Sequence, residues 1–433
     1  MSYFSMLPIL FAACTSEQLN SEHDSPLTLP PTDTSSPDTD TASTDDTGVT
    51  TESCTDGILE SSRLLLGRKL CLSFEDVAST VGLTDSSSHT GLSVIDYDQD
   101  SFQDVFLLNY GAPNSLFRNT GSGTFQNVTA ASGLDGFDSA DPTFWHDAAW
   151  NDYDDDTDLD LALAGSDGCK IFKNSAGHFA ELISPDGLEN NEPCKAVAWL
   201  GSDIVFGTIN GLRLQTYVGG DSFTDVTSTS GLIDINETAD IAIADYDGDS
   251  RQDIAVGNTT GSNRIFHNNG DQNFTSLEDT LGMTDDNGNA TTHVDWVTMQ
   301  SGELPALSVS KYGSDSFYAN LQNGTFAEQS DILGLSDPGN TSTSTFADFL
   351  NEGIPAVFKG RIDAQPLFLI ANQTEDLSYS YYTDYAYQLG MAETAITTES
   401  AAIDYDDDGN LDILSVDYEG GIHLYRNLTH EIE

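Results

Sequence analysis

Aspartates recur at one fixed spacing in four short stretches of this 433-residue chain. They are Asp96, Asp98, Asp100 and Asp104 in DYDQDSFQD, and Asp152, Asp154, Asp156 and Asp160 in DYDDDTDLD. The same pattern returns as Asp245, Asp247, Asp249 and Asp253 in DYDGDSRQD, and as Asp404, Asp406, Asp408 and Asp412 in DYDDDGNLD. Each stretch carries carboxylates at relative positions 1, 3, 5 and 9. Alternate residues of a tight loop point the same way, so positions 1, 3 and 5 converge. Position 9 closes the cage from the start of the next strand, and the carbonyl at position 7 is placed to add an oxygen. Calcium takes six to eight hard oxygens and suits this set, whereas magnesium prefers a tighter octahedron and keeps waters. Transition metals would favour His or Cys ligands. The expected cofactor is Ca2+, about four ions, held by these aspartates.

An EF-hand is excluded because its twelfth position must be glutamate; here it is Leu107, Leu163, Val256 or Ser415. With about one residue in six acidic, the four-position pattern should arise roughly 0.3 times by accident in this length. Its fourfold return at one place in a repeat therefore reflects design of the fold. Position 6 favours glycine for a sharp turn. Only Gly409 supplies it, against Ser101, Thr157 and Ser250. The tyrosines at position 2, Tyr97, Tyr153, Tyr246 and Tyr405, should point away from the ion and pack between repeats. A related stretch keeps Asp348 and Glu352 but has Ala356 at position 9, and is expected to hold no ion.

The loops need strands to position them. Apolar stretches lead into each loop, such as Ile241–Ala244, and β-rich runs such as VFLLN and IAVGN follow. A third short strand comes next: SLFRN, CKIFKN, NRIFHN or IHLYRN. A fourth element is the phrase F-x-D/N-V-x-x-x-x-G-L, as in Phe74 to Leu83, Phe125 to Leu134 and Phe223 to Leu232. Looser copies begin at Phe179, Phe274 and Phe326, and a weaker one ends at Leu389-Gly390. Three further units keep the strands without the acidic loop, at 196–217, 293–320 and 344–372. Seven units thus repeat with a period near 50 residues.

A four-stranded unit of that length is a propeller blade, and blades must stack around an axis to bury both faces. The expected fold is all-β, a seven-bladed β-propeller. Its first strand, at 74–77, should complete the last blade, because the chain ends three strands into the seventh unit. Joining the ends in this way removes an open sheet edge. A linear solenoid would leave one end short of the strand that the other has in excess.

The loops and the phrase FTDVTSTSGL beside DYDGDSRQDIAVG resemble the FG-GAP or VCBS-type repeat family over about residues 72–427. That family includes the propeller of integrin alpha subunits, and the repeats are similar to those of cartilage acidic protein 1 and its bacterial relatives. The resemblance implies a calcium-binding propeller with the sixteen aspartates as ligands. It also implies a role in adhesion or extracellular interaction, or, as in a few similar propellers, an association with polysaccharide lyases.

Composition narrows the partners. The chain has 71 acidic and 14 basic residues, a formal net charge of −57. Nucleic acid and anionic membrane surfaces require basic patches, so neither is an expected partner. Residues 1–13 read as a lipoprotein-like signal peptide ending in Ala-Ala before Cys14, the expected lipid attachment site at a bacterial outer membrane or cell surface; the alternative is a cleaved signal without lipid, on a secreted chain. Residues 14–53, rich in Ser, Thr, Asp and Pro, bury too little to fold and should form a disordered tether. Residues 54–71 form a short lead-in, and 72–433 the propeller. In an oxidising compartment the economical cysteine pairs are Cys54–Cys71 and Cys169–Cys194; the alternative for Cys169 is a free, buried thiol.

Six ionisable residues stand just before inner strands: His89, His146, Lys195, Glu237, His293 and Glu399. On a common rim they would surround the channel mouth, with His89, His146 and His293 as a candidate metal set or acid–base group. Their alternative role is that of solvated loop residues. The expected function is a surface-tethered, calcium-binding adhesion or scaffold module, acting as a monomer on an extracellular protein or polysaccharide. The alternative is a carbohydrate-active enzyme working at the rim, for which Lys195 and Arg213 are the candidate cations. A flat aromatic face would favour the first, and a cleft with converging His and Lys or Arg the second.

Overall fold

The computed structural model describes residues 58–60, 69–135, 144–182, 192–283, 288–373, 380–391 and 396–432. The expected signal peptide, Cys14, the expected tether and Cys54 lie outside them, and so does the expected Cys54–Cys71 pairing. Among the described residues the chain forms seven four-stranded antiparallel sheets and one three-stranded sheet. The seven are the blades of a β-propeller. Their inner strands are Ser88–Ile95, Trp145–Asn151, Cys194–Leu200, Thr238–Ala244, Thr291–Val297, Thr341–Ala347 and Thr397–Ile403. From each inner strand the chain meanders outward, as in blade 1 through Asp104–Tyr110 and Ser115–Asn119 to Phe125–Asn127.

Second strands such as Asp160–Gly165 and Asp253–Asn258 are buried along their whole length. Both faces of these strands pack on neighbouring blades, which is why they read as unbroken apolar runs and not as alternation. The apolar clusters accordingly form between blades. Tyr153, Ala162 and Ile171 of blade 2 meet Val197, Ile204 and Phe223 of blade 3 in one of them. Cys169 and Cys194 join the same two blades through a disulfide, with Cα atoms 5.5 Å apart.

Closure follows the expected route. Phe74–Asp76 pairs with Ile422–Asn427, placing Phe74 opposite Asn427 and Asp76 opposite Tyr425. Val77 and Leu83 then enter the cluster shared by blade 7 and blade 1. A second clasp was not foreseen: Lys69–Leu72 pairs with Ile58–Glu60 on one side and with His430–Ile432 on the other. The two chain ends thus hold each other twice. The outer strand of blade 6 is Ser380–Asp384, where Tyr382 is buried in place of the phenylalanine of the other copies. No helix among the described residues is long and apolar enough to cross a membrane.

Candidate metal centres

Each acidic loop turns from an inner strand into the second strand, and its first aspartate shapes the turn. Asp96 accepts hydrogen bonds from the backbone N–H of Asp100 (3.0 Å) and Ser101 (2.9 Å). Asp152, Asp245 and Asp404 cap their own fifth and sixth residues in the same way. The sixth residue is left-handed throughout, with φ of 75° at Ser101, 79° at Thr157, 69° at Ser250 and 85° at Gly409. That conformation is free of strain for glycine and disfavoured for the other three, most of all for the β-branched Thr157. The blade 6 loop keeps the same turn, with Asp348 capping Glu352 and Gly353. The first aspartate therefore has a backbone task separate from any ion.

The ninth aspartate is withdrawn from solvent: Asp104, Asp160 and Asp253 are 0% exposed and Asp412 is 1% exposed. One of its oxygens accepts from the N–H of a third-strand asparagine: Asn119, Asn174 and Asn427 at 2.7 Å, Asn268 at 2.8 Å. Three of these asparagines tie loop to loop, since Nδ2 of Asn119, Asn174 and Asn427 donates to the carbonyl of Tyr405, Tyr97 and Phe349, respectively, in the preceding blade. Burial, reinforced by the neighbouring aspartates, pushes Asp104, Asp160 and Asp412 up to about 7 and Asp253 up to about 6. Carboxylates held this close favour a cation among them.

Carboxylate oxygens of Asp96, Asp98 and Asp104 lie within 4.8 Å of one another, as do those of Asp152, Asp154 and Asp160, and of Asp404, Asp406 and Asp412. In blade 4 the group is Asp245, Asp247 and Asp249, and Asp247 and Asp253 also meet His267 at that spacing. The remaining fifth-position residues, Asp100, Asp156 and Asp408, turn toward third-strand cations. Oδ1 of Asp98, Asp154 and Asp406 and Oδ2 of Asp160 are buried with no hydrogen-bond partner. A buried, uncompensated carboxylate oxygen is costly. An all-oxygen set with unused buried oxygens fits calcium. These groups can hold metal ions. The tyrosines at position 2 pack as expected: Tyr153 stacks on Trp199 of the next blade (5.5 Å, 2°), and Tyr246 on Trp296 (5.8 Å, 10°).

The six rim residues do not form one set. In the pairing of inner with second strands every blade has a bulge, after the first pair in blades 2 to 7 and after the second pair in blade 1. The residue after the bulge is Gly91, Asp147, Ala196, Asp240, His293, Thr343 or Glu399. Asp147 feels the charge of Asp240 and Glu399, each two blades away around the ring, so these side chains share the axial channel. His146 and Lys195 are bulge residues. His89 stands one place earlier, fully buried, with Nδ1 2.7 Å from Oδ1 of Asn109. His89, His146 and His293 are therefore separated by register and do not converge as a metal set.

The channel residues that spacing did not reveal are Asp147, Asp240 and Asp295. Asp147 accepts from the N–H of Val197 (2.8 Å), and Asp240 from that of Val294 (2.9 Å), each stapling its blade to the next. Thr343 donates to Glu399 (2.6 Å) across blades 6 and 7. Burial disfavours the imidazolium of His293, but Asp240 at 2.8 Å outweighs it and raises His293 to about 10. Burial pushes Asp147 up to about 7.

At the end of the propeller away from the acidic loops, aromatic rings from three blades meet. Tyr110 lies 4.6 Å from Phe144 and 5.9 Å from Tyr418, and Phe144 lies 4.7 Å from His146. Tyr110 and Tyr418 are each 41% exposed.

A family model described as FG-GAP-like repeat matches residues 96–163, which span the first two acidic loops. Cartilage acidic protein 1 of Mus musculus is 29% identical over 120 residues, 26% of this chain and 18% of that protein. The Homo sapiens protein is 38% identical over 64 residues, 15% of this chain and 10% of that one. The chain thus spans less than a fifth of the length of these curated relatives. Among solved structures, the extracellular domain of the hybrid two component system BT4673 from B. thetaiotaomicron matches with a TM-score of 0.51 at 14% identity. It covers 82% of this chain and 39% of that one. BBS1N in complex with ARL6DN matches at 0.50 and 12% identity, over 80% of this chain and 94% of that one. At such identities the likeness speaks for the fold.

Proposed function

We propose that this chain, a β-propeller of FG-GAP-like repeats, is a calcium-stabilised binding module displayed outside the cell and held there by a lipid on Cys14. The observation that carries the reading is the unused buried oxygen on Asp98, Asp154 and Asp406, repeated in three separate loops. Calcium would be held by the first, third and ninth aspartates of the loops of blades 1, 2 and 7, and by Asp245, Asp247, Asp249 and Asp253 in blade 4. Bound there, the ion supplies charge neutralisation. The chain's own residues do the rest: position 1 caps the turn and position 9 anchors the loop to the third strand.

The partner, an extracellular protein or polysaccharide, is read as docking on the end that carries Tyr110, Phe144 and Tyr418. Half-exposed aromatic rings gathered from three blades form a platform that solvent alone does not favour. A carbohydrate-cleaving reading has less support, because Lys195 lies 3.9 Å from Glu237 and His293 is engaged by Asp240.

Calorimetric titration tests the calcium part, with about four ions expected to bind. The melting temperature should fall in excess EDTA, because calcium stabilises the fold by mass action. An unchanged melting curve in EDTA would sink it. Binding of the unaltered chain and of the Tyr110→Ala, Tyr418→Ala double variant to a panel of extracellular polysaccharides and matrix proteins tests the docking face. Retained binding by the variant would move the face elsewhere. Metabolic labelling with a fatty acid, compared with Cys14→Ser, tests the anchor.

A further inference from the structure

The chain has only 14 lysines and arginines against 71 acidic residues, so the placement of a fixed positive charge is informative. Every acidic loop receives one. On the third strand, one residue beyond the pairs Val105↔Phe117, Leu161↔Phe172 and Ile413↔Tyr425, stand Arg118, Lys173 and Arg426. Nε of Arg118 lies 2.5 Å from Oδ2 of Asp98, and Nη2 lies 2.5 Å from Oδ2 of Asp100. Lys173 bonds Asp154 and lies 3.7 Å from Asp156. Nη2 of Arg426 lies 2.6 Å from Oδ2 of Asp406 and 3.8 Å from Asp408. Blade 4 has His267 at this register, and there the loop's own Arg251 bonds Asp249. In the three blades without an acidic loop the register holds Thr216, Ala319 and Ile370. The cation follows the acid and not the strand.

The contacts are also selective by atom. The cations take Oδ2 of Asp98, Asp154 and Asp406, and the buried oxygens without a partner are Oδ1 of the same three residues. We infer that Arg118, Lys173, Arg251 and Arg426 are resident counter-charges, which hold the third or fifth carboxylate of each loop and offset its self-repulsion when calcium is scarce. Like charges confined within a few ångströms destabilise a loop, and one fixed cation removes part of that cost. The same charge opposes an incoming divalent ion. Each loop therefore trades calcium affinity for stability in the ion-free state. These are positioning residues, and the inference rests on the calcium reading above.

The test compares Arg118→Gln and Arg426→Gln with the unaltered full chain, and with Arg118→Lys as the conservative control. Arg118 is 40% exposed, so glutamine loses little packing. Melting is measured in excess EDTA and in excess calcium, and calcium affinity by titration. In EDTA each glutamine variant should melt lower by roughly 2 °C or more. In calcium the loss should be smaller, and the affinity of that loop should tighten by roughly threefold or more. Arg118→Lys should restore the parent behaviour. Equal losses in both conditions, or weaker calcium binding, would overturn the inference. If calcium leaves the melting of the unaltered chain unchanged, the calcium reading fails by itself, and the EDTA arm still decides the counter-charge. A deficit that shrinks in about 1 M salt then supports it, and a salt-independent deficit rejects it.

Discussion

Oδ2 of Asp240 lies 2.8 Å from Nδ1 of His293, across the boundary between blades 4 and 5 and facing the axial channel. The pair fixes a pH dependence. His293 titrates at about 10 in the folded chain, above its ordinary 6.5, so its contribution is fully present below pH 6.5 and is lost as pH rises through about 10. Asp240 is held below its ordinary 3.8, because His293 outweighs the effect of burial; its contribution is present above 3.8 and is lost as pH falls through its folded value. The melting deficit of His293→Gln should therefore be largest near pH 6 and shrink toward pH 10. A deficit that is flat from pH 5 to pH 10 would show that the pair is not an ion pair.

If the acidic loops hold calcium as proposed, the ninth aspartate should set the number of ions. Asp160→Ala should lower the calcium stoichiometry by one, because it removes a fully buried carboxylate with an unpartnered oxygen. Asp203 provides the control: it accepts from the N–H of Tyr217 at 3.2 Å in the blade 3 turn, where no acidic loop exists. Asp203→Ala should cost stability while leaving the calcium count unchanged. Equal stoichiometry for the Asp160 variant and the parent would remove Asp160 from the ligand set.

Thr157 is a β-branched residue at φ 79°. Thr157→Gly should stabilise the chain by about 1 kcal/mol, since glycine adopts that conformation without the Cβ clash and only part of the gain is offset by its freer unfolded state. The matching change Ser101→Gly should act in the same direction. Thermal melting in calcium measures both, and a lower melting temperature would place the left-handed turn elsewhere.

Cys169 and Cys194 close a loop of 25 residues between blades 2 and 3. Replacing both by alanine should cost about 3.5 kcal/mol, the loop-closure value for that separation. Denaturant melts of the double variant and the parent measure it. A loss below about 1 kcal/mol would mean that the shared cluster around Phe206 and Phe223 already holds the two blades together.

The repeat, the number of blades and the closure by Phe74–Asp76 were legible from the chain alone, because the spacing of Asp96, Asp98, Asp100 and Asp104 and its copies is local. A turn of nine residues dictates which side chains converge without help from distant parts of the fold. Position 6 was legible for the same reason: a left-handed residue is a local demand, and Gly409 met it where Thr157 did not. Spacing did not reveal which of the six rim residues stand together, because a bulge in each inner strand moves side chains by one place. Register of that kind depends on the partner strand, so His293 joined Asp147, Asp240 and Glu399 while His89 turned into the sheet. The pairing of Arg118 with Asp98 likewise spans two strands, and only the folded blade brings them together. The clasp between Lys69–Leu72 and His430–Ile432 is nonlocal in the extreme. Local spacing therefore determined the acidic loops and the architecture, and tertiary pairing decided which charges meet across them.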